Sequence, residues 1–437
     1  MSLTRFTKSI PKLLLTNGTV VDPVSLTESV SDVLIENGEL KEIGKIDVQG
    51  FDGQITDVAG KVVCPGLIDM HVHLREPGRE DEETIESGCD AAMAGGFTAV
   101  CSMPNTEPAA DNAEVISFIK NRAKNLLVDV YPIAAVTKNR AGNELTEMGE
   151  LVDAGAVAFS DDGDPVATSE ILRRALEYSS MFNAPIIEHC EDKTLTIGAS
   201  MHEGEISTRL GLKGIPGISE DIIVARDIQV AEYTKGKLHI AHISTAASVE
   251  LVRQAKKRGV QVSCEVMPHH FTLNHAAVKN YDTNFKMNPP LRTQADVDAM
   301  LEGLKDGTID VIATDHAPHA IEEKQVEFEA APFGIIGLET ALGIVIKYLV
   351  EGKILSLPQA VAKLTCKPAE ILNLRAGRFV KNQPASVTIF DPAVEWVVDK
   401  KTFKSKSRNT PFDKWDLAGK VFALYNKGLW WQSNLIS

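Results

Sequence analysis

From Lys12 to about Val63 the chain sets short aliphatic and β-branched runs between turn residues. Leu13 to Leu15, Val20-Val21, Val33 to Ile35 and Val62-Val63 are punctuated by Asn17-Gly18 and Asn37-Gly38. This spacing predicts short antiparallel strands joined by tight turns. The same texture returns in Ser386 to Phe390, Trp396 to Val398 and Val421 to Tyr425. Residues 1–62 and 377–437 therefore read as two parts of one small β-sandwich-like domain that flanks the middle of the chain.

Residues 63–376 alternate short apolar strands with amphipathic stretches such as Asp111 to Lys124 and Ser169 to Met181. That is the pattern of repeated βα units around a parallel sheet. Eight strands are expected, ending near His73, Met103, Ala135, Asp161, His189, Ile243, Pro268 and Asp315. Eight units favour a closed (β/α)8 TIM-type barrel over an open doubly wound sheet, although periodicity does not establish closure. The fold class expected is α/β.

Composition fits that picture. The 437 residues are 44% hydrophobic and 24% charged, enough to bury a large core. A formal charge of -15 leaves no basic stripe for a phosphate backbone, which argues against nucleic acid as partner. No apolar run reaches the roughly 18 to 20 residues of a bilayer span, and Met1 to Thr16 has no compact signal region, so no membrane partner and a cytoplasmic location are expected. The six cysteines stand singly without a CxxC pair and read as reduced, buried thiols.

Chemistry enters at His71-Val72-His73. Residues two apart on a strand project from one face, so both imidazoles can reach a single point. Alone this motif is common. Further metal-type side chains, however, close other expected strands: Asp162, His189, His242 and Asp315. In a barrel the carboxyl ends of the strands converge on one mouth, where a set of four histidines and two aspartates becomes a metal site. Ligands of this kind without thiolate favour zinc. Six candidates exceed the usual four, which points to two Zn2+ ions sharing Asp162 and a hydroxide as bridges. Asp161 is adjacent, and spacing does not decide between the two aspartates. Other histidines are read structurally. His239 falls three residues before His242 and is expected on the opposite, helix-facing side; His202 and His275 have no partner motif, and His269 and His270 offer at most support to the ligands.

The motifs as a set resemble the amidohydrolase superfamily and, within it, the class I bacterial dihydroorotases. The resemblance runs through almost the whole chain. Its segments are Pro65 to Gly78, Met103 to Thr106, Asp161 to Gly163, Glu188 to Glu191, Gly211 to Pro216, His242 to Ser244, Met287 to Arg292, Ala313 to His319 and Ala331 to Gly334. It implies that His71, His73, Asp162, His189, His242 and Asp315 are the ligands, since the family's aspartate is the one before Gly163. It further implies that Arg75, Asn105, Asn288 and His319 contact substrate, with the backbone at Phe333-Gly334 closing on a pyrimidine ring. Many relatives place a carboxylated lysine after the fourth strand; Ser160-Asp161-Asp162 stands here instead.

The activity implied is reversible cyclisation of N-carbamoyl-L-aspartate to L-dihydroorotate, a step of pyrimidine synthesis. Asp315 would act as ligand and proton shuttle while hydroxide on the metal attacks the ring amide. A homodimer and an association with aspartate transcarbamoylase are implied as partners. The alternatives are another cyclic amidase, such as a hydantoinase or allantoinase, and a catalytically silent homologue. The stretch Ala317 to Gly334 is long for a βα loop and is expected to be a mobile cover.

Overall fold

Eight short parallel strands line up in chain order: β1 (Leu67–Val72), β2 (Phe97–Ser102), β3 (Asp129–Ala134), β4 (Ala158–Ser160), β5 (Ile186–Glu188), β6 (Leu238–Ile240), β7 (Val262–Val266) and β8 (Val311–Ile312). The computed structural model describes residues 2–433. A parallel bridge between Val72 and His316 joins the last strand to the first, and the His73 N–H donates to the His316 carbonyl at 2.9 Å. The barrel is thus closed. Its strands are covered on both faces, so they are written as apolar runs rather than alternations; every residue of β1 and β2 is buried.

The outer helices are punctuated as local chemistry requires. Thr84 caps Ile85–Gly95 in a reciprocal box with Ser87, Thr293 does the same with Asp296 for Gln294–Asp306, and the left-handed Gly96 and Gly307 end those helices. The strands stop one to three residues short of the ends expected from sequence. Most of the metal-type side chains therefore stand on the first residues of the loops at the barrel mouth.

Strands from both chain ends pair into one nine-stranded sheet. Val62–Pro65 lies between Lys12–Asp22 and Ser386–Val397, which fastens the C-terminal strands to the N-terminal ones. Leu13, Leu15, Val33, Ile35, Val387, Ile389 and Tyr425 form a core of its own beneath this sheet. The chain enters the barrel at Gly66, where an added Cβ would come within 1.9 Å of Thr98 Oγ1 and 2.2 Å of Ser386 Oγ. Only glycine fits that crossing.

One contact between the two parts has no trace in the hydrophobic pattern. After Lys400–Thr402 the chain runs back along the barrel mouth. The single Ser407 O–H is shared between the carbonyls of His319 and Glu82, and Asn409 Nδ2 donates to those of Ala317 and Gly334. Among the described residues no helix is long and apolar enough to cross a membrane. All six cysteines are free and buried.

The placement of His239 corrects the sequence reading. Leu238 and Ile240 take the helix side of β6, so His239 points inward, fully buried, with Nε2 3.3 Å from Glu265 Oε2. The strand ends at Ile240 and the backbone turns through a positive φ of 30° at His242. That turn resets the alternation on which the expectation relied.

Candidate active site

The six metal-type side chains come from five strands and meet at the mouth. His71 Nε2 lies 3.5 Å from Asp162 Oδ1 and 3.6 Å from Asp315 Oδ1. His73 Nε2 is 3.0 Å from Asp315 Oδ1 and 3.6 Å from Asp162 Oδ2. Across the site, His189 Nδ1 and His242 Nε2 are 3.0 Å apart and lie 3.8 and 3.5 Å from Asp162 Oδ1. Two triads result, His71–His73–Asp162 and Asp162–His189–His242, each with its ligand atoms within 4.8 Å of one another. They share Asp162. Asp161 turns away: its carboxylate accepts from the Thr137 N–H and hydroxyl.

Second partners orient the imidazoles. His71 Nδ1 pairs with Glu265 Oε1 at 2.6 Å, His73 Nδ1 donates to Asn105 Oδ1 at 2.8 Å, and His189 Nε2 pairs with Glu191 Oε2 at 3.0 Å. With the proton held on the outer nitrogen, each ring presents a lone pair to the centre. His71 Nε2 and Asp162 Oδ1 are buried and have no hydrogen-bond partner. Orphaned acceptors facing one another across 3.5 Å are what a cation would satisfy, and a set of imidazoles and carboxylates suits a divalent ion.

Burial would push the Asp162 and Asp315 carboxyls up, and without a cation only positive charge on the imidazoles of His71, His73 and His242 holds both below the carboxylate range. A cation at the centre would supply that positive charge and leave the rings neutral, as ligation needs. Glu265, also opposed by burial, is drawn down to about 2 by His71 and His239. Arg75, His242 and Asp315 have positive φ values of 61°, 30° and 48°. Such backbone costs about 1–3 kcal/mol per residue and persists where the surroundings hold it.

A cavity of about 610 Å³ opens above the triads, and Arg75, Asn105, Asn288, His319, Phe333 and Gly334 all line it. Arg75 Nε donates to the Pro318 carbonyl at 3.1 Å and lies 2.9 Å from Glu82 Oε2. Asn288 Nδ2 donates to Glu191 Oε2 at 3.0 Å. His319 faces Glu82 Oε1 through Nδ1 at 2.9 Å and the Phe333 carbonyl through Nε2 at 2.7 Å. Burial, with the nearby Arg75 charge, outweighs the pull of Glu82 and holds the His319 pKa below the ordinary imidazole value. The Gly334 N–H is already given to the Lys286 carbonyl at 3.0 Å. The Gly334 carbonyl accepts from Lys324 and Asn409 and the Phe333 carbonyl faces His319, so the backbone group of this pair left open is the Phe333 N–H.

Residues 317–334, expected as a mobile cover, are packed into the barrel mouth in this structure. Phe328 is buried with Met201, Ile206, Leu212 and Val278, which interlocks three loops of the mouth. Several supporting residues went unread in the sequence: Glu265, Glu82, Glu191, Lys286, Lys324 and Asn409. Only Glu265 left a signal, as the one charged residue inside the short strand β7. Glu82 sits in the acidic run Glu80 to Glu83, where nothing in the pattern sets it apart.

A family profile described as dihydro-orotase-like matches residues 60–248. The dihydroorotase of Pelotomaculum thermopropionicum is 55% identical over 401 residues, 92% of this chain and 94% of that protein. That of Acetivibrio thermocellus is 52% identical over 411 residues, 94% and 96% of the two chains. Among solved structures, the L-hydantoinase (dihydropyrimidinase) of Arthrobacter aurescens superposes with a TM-score of 0.85 at 24% identity over 95% of each chain, a likeness of fold.

Proposed function

The chain belongs to the dihydroorotase family, a family of cyclic amidohydrolases, and on that premise we propose that it interconverts N-carbamoyl-L-aspartate and L-dihydroorotate with the help of zinc. The observation that carries the assignment of the site is the pair of triads sharing Asp162 beneath a cavity lined by Arg75, Asn105 and His319. His71, His73, Asp162, His189, His242 and Asp315 would hold two ions. When bound, zinc supplies Lewis acidity, polarising the ring amide carbonyl and lowering the pKa of water.

The remaining work falls to side chains. Arg75 is held through Nε by Glu82 and Pro318, which leaves its terminal nitrogens for the substrate carboxylate, a forked, permanently charged match. Asn105 uses Oδ1 on His73, and its amide nitrogen can add a hydrogen bond to the same carboxylate. Asp315 turns Oδ1 toward His73 and His71; its other oxygen takes a proton from the attacking water and delivers it to the departing ring nitrogen. In the cyclising direction it removes a proton from the ureido nitrogen. The ring carboxylate calls for a cationic fork such as Arg75, which favours dihydroorotate over hydantoins that lack that group.

The test is a panel of turnover assays on zinc-loaded enzyme with carbamoyl-aspartate, dihydroorotate, hydantoin, allantoin and dihydrouracil, alongside metal analysis. Turnover confined to the first two, in both directions, is expected. Preference for hydantoin, or zinc-loaded protein inert toward all five, would overturn the reading.

A further inference from the structure

Two lysines are buried beside the cavity with backbone carbonyls as their hydrogen-bond partners. Lys324 is 8% exposed, and Nζ donates to the carbonyls of Pro332 at 2.9 Å, Gly334 at 3.0 Å and Lys286 at 3.5 Å. Lys286 is 3% exposed; Nζ donates to those of Phe328 at 2.8 Å and Glu329 at 2.9 Å and sits 4.6 Å from the centre of the Phe333 ring. The backbone of Lys286 also accepts the Gly334 N–H. One lysine from within residues 317–334 and one from the loop after β7 thus hold that segment from both sides.

A buried ammonium is expensive unless each of its three N–H groups finds an acceptor. Lys324 finds three carbonyls, two of which flank Phe333, yet burial and the neighbouring Lys286 draw its pKa down to about 7, so the ammonium is fully present below that pH. Were the ammonium absent, those carbonyls would face each other unpaired, and the segment would relax outward toward water. The N-terminal half of the segment has fastenings of its own, from Arg75 to the Pro318 carbonyl, Ser407 to that of His319 and Asn409 to that of Ala317; nearer Phe333, Thr283 Oγ1 donates to the Lys324 carbonyl and Asn409 reaches Gly334.

We propose that Lys324 and Lys286 form an ammonium clip that fixes residues 317–334 over the cavity, making them positioning residues for the face that Phe333 and Gly334 present to substrate. This rests on the reading that Phe333-Gly334 borders the substrate ring. The clip sets ground-state binding, because it shapes the cavity wall and touches neither the triads nor Asp315.

Lys324→Ala in the zinc-loaded full-length protein tests it, with three readouts. The KM for dihydroorotate should rise about tenfold or more, the equivalent of one lost charge-assisted hydrogen bond, while kcat stays within about threefold. Amide exchange within 317–334 should accelerate in the absence of substrate, while the barrel strands keep their protection. Added propylammonium should restore both, and propan-1-ol of similar shape should not, since filling a void is not supplying a charge. Unchanged exchange in the segment overturns the clip. Faster exchange with unchanged KM overturns instead the assignment of Phe333-Gly334 to substrate. Should Lys324→Ala not fold, Lys286→Met carries the KM and exchange readouts with the same expected and overturning results.

Discussion

Glu265 Oε1 lies 2.6 Å from His71 Nδ1, and its other oxygen lies 3.3 Å from His239 Nε2, all three residues fully buried. The carboxylate therefore decides which nitrogen of His71 carries the proton and which faces the centre. Glu265→Gln keeps the shape but removes the charge that favours an Nδ1–H donor. Metal affinity is expected to fall by about 10- to 100-fold, the usual penalty for losing such a partner. Competition against a chromogenic chelator measures it, and the fold can be checked by thermal unfolding. An unaltered affinity would mean that the hydrogen bond does not steer the ring.

Asp315 carries the proposed proton transfer, and its partners make the prediction specific. Asp315→Asn retains an oxygen toward the metal site but cannot accept a proton at its other atom. Both directions of turnover should drop by about 10²- to 10⁴-fold, the range for loss of a positioned acid–base group. Zinc content, read by elemental analysis, should stay near that of the native protein. A variant that keeps zinc and turns over at the native rate would exclude the shuttle.

Arg75 offers a separable effect. Its Nε is tied to Glu82 and Pro318, so the orientation of its fork is fixed before substrate arrives. Removing a charge-assisted contact of roughly 1.5–3 kcal/mol should raise KM by about ten- to a hundredfold. Arg75→Lys should recover little of it, because an ammonium cannot supply two parallel donors. Steady-state kinetics in both directions would show whether kcat stays within a fewfold; a large fall in kcat with unchanged KM would place Arg75 in the chemical step instead.

How much of this was legible beforehand depended on which physical signal each feature leaves. The barrel strands were readable because burial on both faces writes them as apolar runs, and the ligands because each follows such a run. His239 was misplaced because one turn at His242 broke the alternation. Lys286, Lys324 and Asn409 left no trace at all: a lysine that satisfies backbone carbonyls inside a loop has the same letter as one in solvent. Ser405 to Asn409 lie far along the chain from Glu82 and His319, and only tertiary structure brings them together.

Acid stability follows from His202, away from the triads. His202 is 9% exposed, and its Nδ1 lies 3.4 Å from Arg292 Nη1, where the neutral ring serves as acceptor. Burial, reinforced by the Arg292 guanidinium and His275, pushes its pKa down to about 4 from an ordinary 6.5. The unfolded chain then binds a proton at higher pH than the folded one. Stability from this group is therefore complete above about pH 6.5 and declines as pH falls toward 4, by about 1.4 kcal/mol at most for each unit crossed. His202→Gln removes the titration while keeping an acceptor for Arg292. Thermal midpoints of chelator-treated native protein and variant, measured from pH 7 to 4, should converge as the pH drops, because the native protein loses more. Parallel declines across that range would show that His202 is protonated as readily in the folded chain as in the unfolded one.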